Sequence, residues 1–166
     1  VICAGYKKDN IEKYFLNEQE IQVVDTGLNT QTAARIKKIK EFLNDDENFF
    51  MTYGDGLSNV NINELLSFHK KNNKIATLTA VRPIPRFGHI TLKDDKVIKF
   101  KEKDFLSEGW INGGFFVLNK KVFNYINDKE DCIFEREPLE NLSKDGELMA
   151  FKHEGFWHPV DTLRDK

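Results

Sequence analysis

Short apolar runs closed by glycine or proline alternate along this chain with segments whose apolar residues recur at helical spacing, and this alternation constrains the fold most. "VICAGY" reads as a buried strand, followed by a helical stretch from Lys7 to Leu16. "IQVVDTG" is a second run, closed by Gly27. From Thr30, "TQTAARIKKIKEFLN" places Ile36, Ile39 and Leu43 on one helical face and turns Lys37, Lys38 and Lys40 mostly outward. "NFFMTYGDG" is a third run. After it, Asn61 is placed to cap a helix on which Ile62, Leu65, Leu66 and His69 share a face. His69 there is more often a satisfied core histidine than a ligand. "KIATLTAVRP" is a strand stopped by Pro83 and Pro85, and "FGHITLKDDKVIKFKEKD" alternates on both sides of Asp94-Asp95, as a hairpin does. "WINGGFFVLNK" is a further strand, "KKVFNYIN" and "REPLENLSKDG" are short helices, and "ELMAFKHEGFWHPVD" returns to strand character. This order argues a three-layer, mostly parallel α/β sheet with an added β-hairpin.

The chain has 166 residues, one domain's worth, of which 40% are hydrophobic and 31% charged, so it is globular rather than disordered. A formal net charge of −2 argues against a nucleic-acid surface or a membrane-steering patch. No apolar run approaches the length of a bilayer span, and no signal peptide is expected. Cys3 and Cys132 do not make a disulfide framework, so a reduced, cytoplasmic setting is expected and each thiol is read as core filling.

Four stretches could carry chemistry: "VDTGLNTQTAAR", "YGDG", "FKEKDFLSEGWINGGFF" and "GFWHPVDT". Each has a bland alternative. Asp55 between Gly54 and Gly56 is either a tight turn or a metal-holding acid at a strand's carboxyl end. Asp161 is either a helix N-cap or a second such acid. Glu102-Lys103 reads equally as exposed hairpin charge, and "INGG" as a bulge. "DTG" would suit an aspartic protease only with a second matching carboxylate motif, and none occurs.

In order and spacing, "VDTGLNTQTAAR", "TYGDGLSNVNINELLSFHKK", "ATLTAVRPIPRFGHI", "WINGGFFVLNKKVF", "FEREPLENLSKDGEL" and "GFWHPVDTLRDK" resemble the sugar-1-phosphate nucleotidyltransferases, in particular their cytidylyl-transferring branch. The resemblance covers nearly the whole chain from about Val23 onward. It implies a Rossmann-like nucleotidyltransferase fold and transfer of a cytidylyl group from CTP to glucose 1-phosphate, giving CDP-glucose and pyrophosphate for nucleotide-sugar and surface-polysaccharide synthesis. It makes Asp55 and Asp161 the ligands of Mg2+ and, with Lys103, the catalytic set. It assigns Thr30, Arg35 and Gly54 to the nucleotide, Arg35 meeting phosphate through its planar fork. It assigns Glu102 and Lys103 to the sugar phosphate, with Gly88, Asn112 and Gly113 closing the sugar pocket. Trp110 and Trp157 are read as packing. The resembling enzymes form homo-oligomers, hexamers among them, which sets that expectation here.

Three departures accompany the match. The family's glycine-rich opening loop, which cradles a triphosphate with backbone N–H groups, has no counterpart in these residues. The stretch between Phe15 and Val23 is shorter than the family's, and nothing matches its C-terminal helices. Residues 1–166 are therefore expected to be a partial nucleotidyltransferase domain. Three rival readings stand beside this one: uridylyl or thymidylyl transfer, a metal-dependent glycosyltransferase, and a catalytically silent nucleotide-binding piece. Against the glycosyltransferase, "GDG" is not the D-x-D triplet such enzymes present.

Overall fold

The computed structural model describes residues 1–43, 47–83, 88–102, 109–163 and 165, with His89 described by its backbone alone. Lys103 and Pro85 lie outside the described residues. In chain order the strands are β1 (Ile2–Ala4), β2 (Val23–Asp25), β3 (Asn48–Thr52), β4 (Gly56–Ser58), β5 (Ala76–Val81), β6 (His89–Lys93), β7 (Lys96–Lys101), β8 (Ile111–Asn119), β9 (Leu148–Lys152) and β10 (Trp157–Pro159). The α-helices are α1 (Lys8–Tyr14), α2 (Thr32–Lys38), α3 (Ile62–Asn72) and α4 (Glu137–Lys144), with two 3₁₀ turns, Lys40–Phe42 and Lys120–Tyr125. The chain divides into two compact units, Val1–Phe49 with Leu118–Leu148, and Phe50–Val117 with Met149–Lys166.

In the first unit β1 and β2 pair in parallel, Ile2 against Val23 and Ala4 against Asp25. Parallel neighbours need a crossover, and α1 supplies it. Helix α2 buries Ala33, Ala34 and Ile36, and Ile39 stays buried although the chain tightens to 3₁₀ winding after it. The helix ends earlier than its periodicity predicts, because spacings of three suit a 3₁₀ turn as well as an α-helix. The same substitution occurs at "KKVFNYIN", which winds as 3₁₀ and buries Val122 and Phe123. The first N–H groups of α2 find partners in a neighbouring loop. Gln31 N–H donates to Glu130 O at 2.8 Å, and Ala33 N–H to Cys132 O at 3.1 Å. The Thr32 hydroxyl accepts from Phe134 N–H at 2.8 Å and donates to Glu135 Oε2 at 2.9 Å. Cys132, Phe134, Leu139 and Leu142 complete this core.

Lys38 and Lys40 are exposed, as expected, and Lys37 is half-buried, while the ammonium groups of Lys37 and Lys38 turn to neighbouring loops. Lys37 Nζ meets Asp128 at 2.6 Å and Ile126 O at 2.9 Å, and Lys38 reaches back to Glu130. A long aliphatic stem lets a lysine leave the helix surface polar while its ammonium serves a loop.

The second unit is built on a sheet of order β3-β8-β5-β9. Strand β5 is buried along nearly its whole length, the pattern of an interior strand. Helix α3 starts as expected, with Asn61 Oδ1 accepting from the N–H groups of Asn63 and Glu64. Its buried residues are Leu65 and His69, whereas Ile62 at the first turn is 53% exposed, so its apolar face is narrower than expected. His69 is a satisfied core histidine: it is 2% exposed, and Nδ1 lies 2.9 Å from Thr77 Oγ1. Strands β6 and β7 form the expected antiparallel hairpin through Asp94-Asp95. A second antiparallel ladder joins β4 to β10, so parallel pairing holds at β1–β2 and not at these two ladders. No helix among the described residues is long and apolar enough to cross a membrane.

Candidate functional site

The residues singled out from the sequence fall in both units. In the first, β2 ends at Asp25, whose Oδ1 accepts the Gly27 N–H at 2.9 Å. Gly27 has φ of 98°, and a Cβ there would lie 2.6 Å from Thr30 Oγ1, so both backbone and space require glycine. The turn that follows leads into α2 and opens a cleft of about 450 Å³ lined by Leu28, Asn29, Thr30, Gln31, Thr32 and Arg35. Thr30 and Arg35 are thus brought to one cleft.

Arg35 is half-buried rather than solvated. Its Nη1 donates to Ala4 O at 3.1 Å and to Thr26 Oγ1 at 2.5 Å. The Thr26 hydroxyl in turn donates to Ala4 O at 2.8 Å. No carboxylate pairs with Arg35 among the described residues, so one edge of the cleft is cationic.

In the second unit, β4 and β10 bring the two ends of the "YGDG" and "VDT" motifs together. Gly56 pairs with Pro159, and Val160 N–H donates to Asp55 O at 2.8 Å, with Asp161 the next residue. Both side chains are exposed, and neither carboxylate has an ion pair or a hydrogen bond among the described residues. A Cβ built on Gly54 would meet nothing within 4 Å, and its φ is not positive, so neither packing nor conformation asks for glycine there. No cluster of three or more metal-ligating side chains occurs among the described residues. Two carboxylates with open space beside them nevertheless suit magnesium, which takes one or two acids and fills its octahedron with phosphate oxygens and water.

Asp161 caps no helix among the described residues. The N–H and hydroxyl of Thr162 instead donate to Asp165 Oδ2 at 2.8 and 2.9 Å, and these bonds hold the Asp165 carboxyl below its usual range.

Asn112 turns its side-chain oxygen back onto Gly114 N–H at 2.9 Å, which leaves its amide nitrogen as a donor without a protein acceptor among the described residues. Gly113 is buried, where a Cβ would lie 2.8 Å from Val81 Cγ1, and its carbonyl accepts the Trp157 indole N–H at 2.8 Å. At the foot of the hairpin, a Cβ on Gly88 would sit 2.9 Å from Glu102 Oε2, so these two expected residues are neighbours. The Trp110 ring carries the Arg82 guanidinium 4.2 Å from its centroid and Lys152 at 5.6 Å. Sequence reasoning passed over Lys38 and Glu130, because charged residues away from an apolar stripe look like solvated surface.

Comparison with known proteins places these observations in a family. The model of the family described as "Nucleotidyl transferase" matches residues 1–165. The chain is 42% identical to the glucose-1-phosphate cytidylyltransferase of Salmonella typhimurium, over all of this chain and 74% of that protein. The aligned span of 191 residues exceeds the 166 of this chain, so the relative carries residues that this one lacks within the match. Identity is 30% to the D-glycero-alpha-D-manno-heptose 1-phosphate guanylyltransferase of Aneurinibacillus thermoaerophilus, over 94% of this chain and 67% of that one. Among solved structures, HddC from Yersinia pseudotuberculosis superposes with a TM-score of 0.67 at 21% identity, over 97% of this chain and 72% of that one, a likeness of fold.

Proposed function

We propose that this chain, which belongs to the nucleotidyl transferase family, transfers a cytidylyl group from CTP to glucose 1-phosphate, giving CDP-glucose and pyrophosphate for surface-polysaccharide synthesis. Choice of CTP is supported by the 42% identity to a cytidylyltransferase, against 30% to a guanylyltransferase. The observation that carries the chemistry is the β4–β10 ladder, which sets Asp55 beside Val160-Asp161 with both carboxylates unpaired among the described residues.

The phosphate of glucose 1-phosphate attacks the α-phosphorus of CTP and pyrophosphate leaves, so the protein's work is positioning and charge stabilisation. Asp55 and Asp161 would hold magnesium, which when bound neutralises phosphate charge. Gly54 leaves room for nucleotide beside them. Thr30 and Arg35 bind the nucleotide from the cleft of the first unit. Lys103 holds the sugar phosphate, and Glu102, Gly88, Gly113 and the free amide of Asn112 contact sugar hydroxyls. The full-length enzyme works as a homo-oligomer.

A coupled pyrophosphate assay on the full-length protein tests this. Glucose 1-phosphate is supplied with CTP, UTP, dTTP or GTP in turn, with magnesium and then with EDTA. CTP- and magnesium-dependent release is expected. Release with UTP or dTTP and not with CTP would move the assignment to another branch, and release without a divalent ion would remove Asp55 and Asp161 from the metal role.

A further inference from the structure

We propose that Lys38 is a positioning residue: its ammonium, paired with Glu130, turns the hydroxyl proton of Thr30 into the cleft, where it is donated to an uncharged acceptor on the nucleotide base. This rests on reading the cleft as a nucleotide site and specifies which part of the nucleotide meets which wall.

Lys38 Nζ lies 3.0 Å from Thr26 O, 3.1 Å from Thr30 Oγ1 and 2.9 Å from Glu130 Oε1. An ammonium has three N–H groups and no lone pair, so all three protons are placed and Thr30 Oγ1 accepts one of them. Thr30 is 5% exposed and lines the cleft, and Lys38 is its only side-chain partner among the described residues. Its single proton is therefore left to point at something in the cleft. Gly27 makes room for this hydroxyl, since any Cβ there would fall 2.6 Å from it.

The charges have a second consequence. With three acceptors engaged, Lys38 has no N–H left for phosphate, and Glu130 offsets its charge. The hydrogen bond from Lys38 holds the Glu130 carboxyl below its usual range. Arg35, on the same cleft, has no carboxylate partner among the described residues. The cleft thus has a cationic wall at Arg35 and an electrically balanced corner at Thr30, which suits a base carbonyl or ring nitrogen rather than phosphate. A lone donor also selects, because a ligand that offers N–H at this point leaves a buried hydroxyl unsatisfied. The donor does not by itself separate cytosine from uracil. The Lys38–Glu130 pair is largely exposed, with side chains 40% and 68% accessible, and exposed pairs add little stability, so orientation accounts for it better than stability does.

Calorimetric titration of the full-length protein tests the inference. The wild type is first titrated with CTP, UTP, dTTP and GTP in the presence of magnesium. A preference other than CTP would overturn the substrate assignment above, and the remaining steps would then use the preferred nucleotide. Lys38→Met and Thr30→Val should each weaken binding about tenfold, and the double variant should be no weaker than either single, because both remove the same proton donation. Thr30→Ser should bind within about twofold of wild type. The KM for glucose 1-phosphate should not move. Additive penalties in the double variant, or wild-type affinity in Thr30→Val, would overturn the proposal. If Lys38→Met does not fold, the Thr30→Val and Thr30→Ser pair still decides the role of the hydroxyl.

Discussion

At Asp55 the choice between a turn residue and a metal-holding acid depends on what the carboxylate touches. Asp25 behaves as a turn aspartate, its Oδ1 taking the N–H of Gly27 two residues on. Among the described residues Asp55 makes no such bond: its backbone oxygen is engaged by Val160, and its carboxylate is left exposed. Asp55→Asn should therefore reduce kcat by about two orders of magnitude or more, while the urea midpoint shifts by no more than about 0.5 kcal/mol in stability. Near-normal turnover would exclude the acid from the metal site. Gly54 makes a complementary case. A methyl group there meets no atom of the described residues within 4 Å, so Gly54→Ala should fold normally. If the glycine serves ligand approach, that variant should raise the KM for CTP, and an unchanged KM would show that nothing comes close.

Two elements carry predictions of their own. In β8, Gly114 has φ of 79° and a Cβ there would lie 2.8 Å from Tyr53 Cδ2. Gly114→Ala should cost more than about 1 kcal/mol, from the left-handed backbone and the ring it displaces together. Equal denaturation midpoints for variant and wild type would contradict both arguments. In α3, burial holds the His69 imidazole below its ordinary value of 6.5. As pH falls below about 6.5, the unfolded chain takes up a proton that the folded chain still refuses, so stability present above that pH is progressively lost. Melting temperature should fall between pH 7 and pH 5, and less steeply in His69→Gln. Parallel slopes would show that His69 titrates alike in both states.

For the whole molecule, the β6–β7 hairpin presents an apolar face. Ile90 pairs with Phe100 and Leu92 with Val97, all on one side and each more than half exposed. The bulge between Thr91 and Leu92 keeps the two pairs on that face, with Lys93, Lys96, Lys99 and Lys101 on the other. Apolar surface of this kind is where contact with a second copy of the chain is expected. Light scattering on the full-length protein should give a mass of several chains, falling when Leu92 and Val97 are both changed to Asp. A monomeric wild type, or an unaltered mass in the variant, would remove the hairpin from the assembly.

Local interactions decided what the sequence alone could determine. The order of strands and helices, the Asn61 cap and the Asp94-Asp95 hairpin rest on spacings within a few residues, and the motif order was enough to identify the family. Winding was less legible: Lys120–Tyr125 became 3₁₀ because a spacing of three fits both kinds of turn. The family resemblance had already paired Asp55 with Asp161, but the means, an antiparallel ladder that sets Asp55 next to Val160-Asp161, is visible only in the tertiary structure, since pairing between distant segments leaves no mark in either one. The same holds for Lys38. Its sequence neighbourhood resembles a solvated helix face, and its role follows from Thr26, Thr30 and Glu130 converging on one ammonium. Periodicity records which face of an element is buried, whereas the partner of a charged group depends on how distant segments meet.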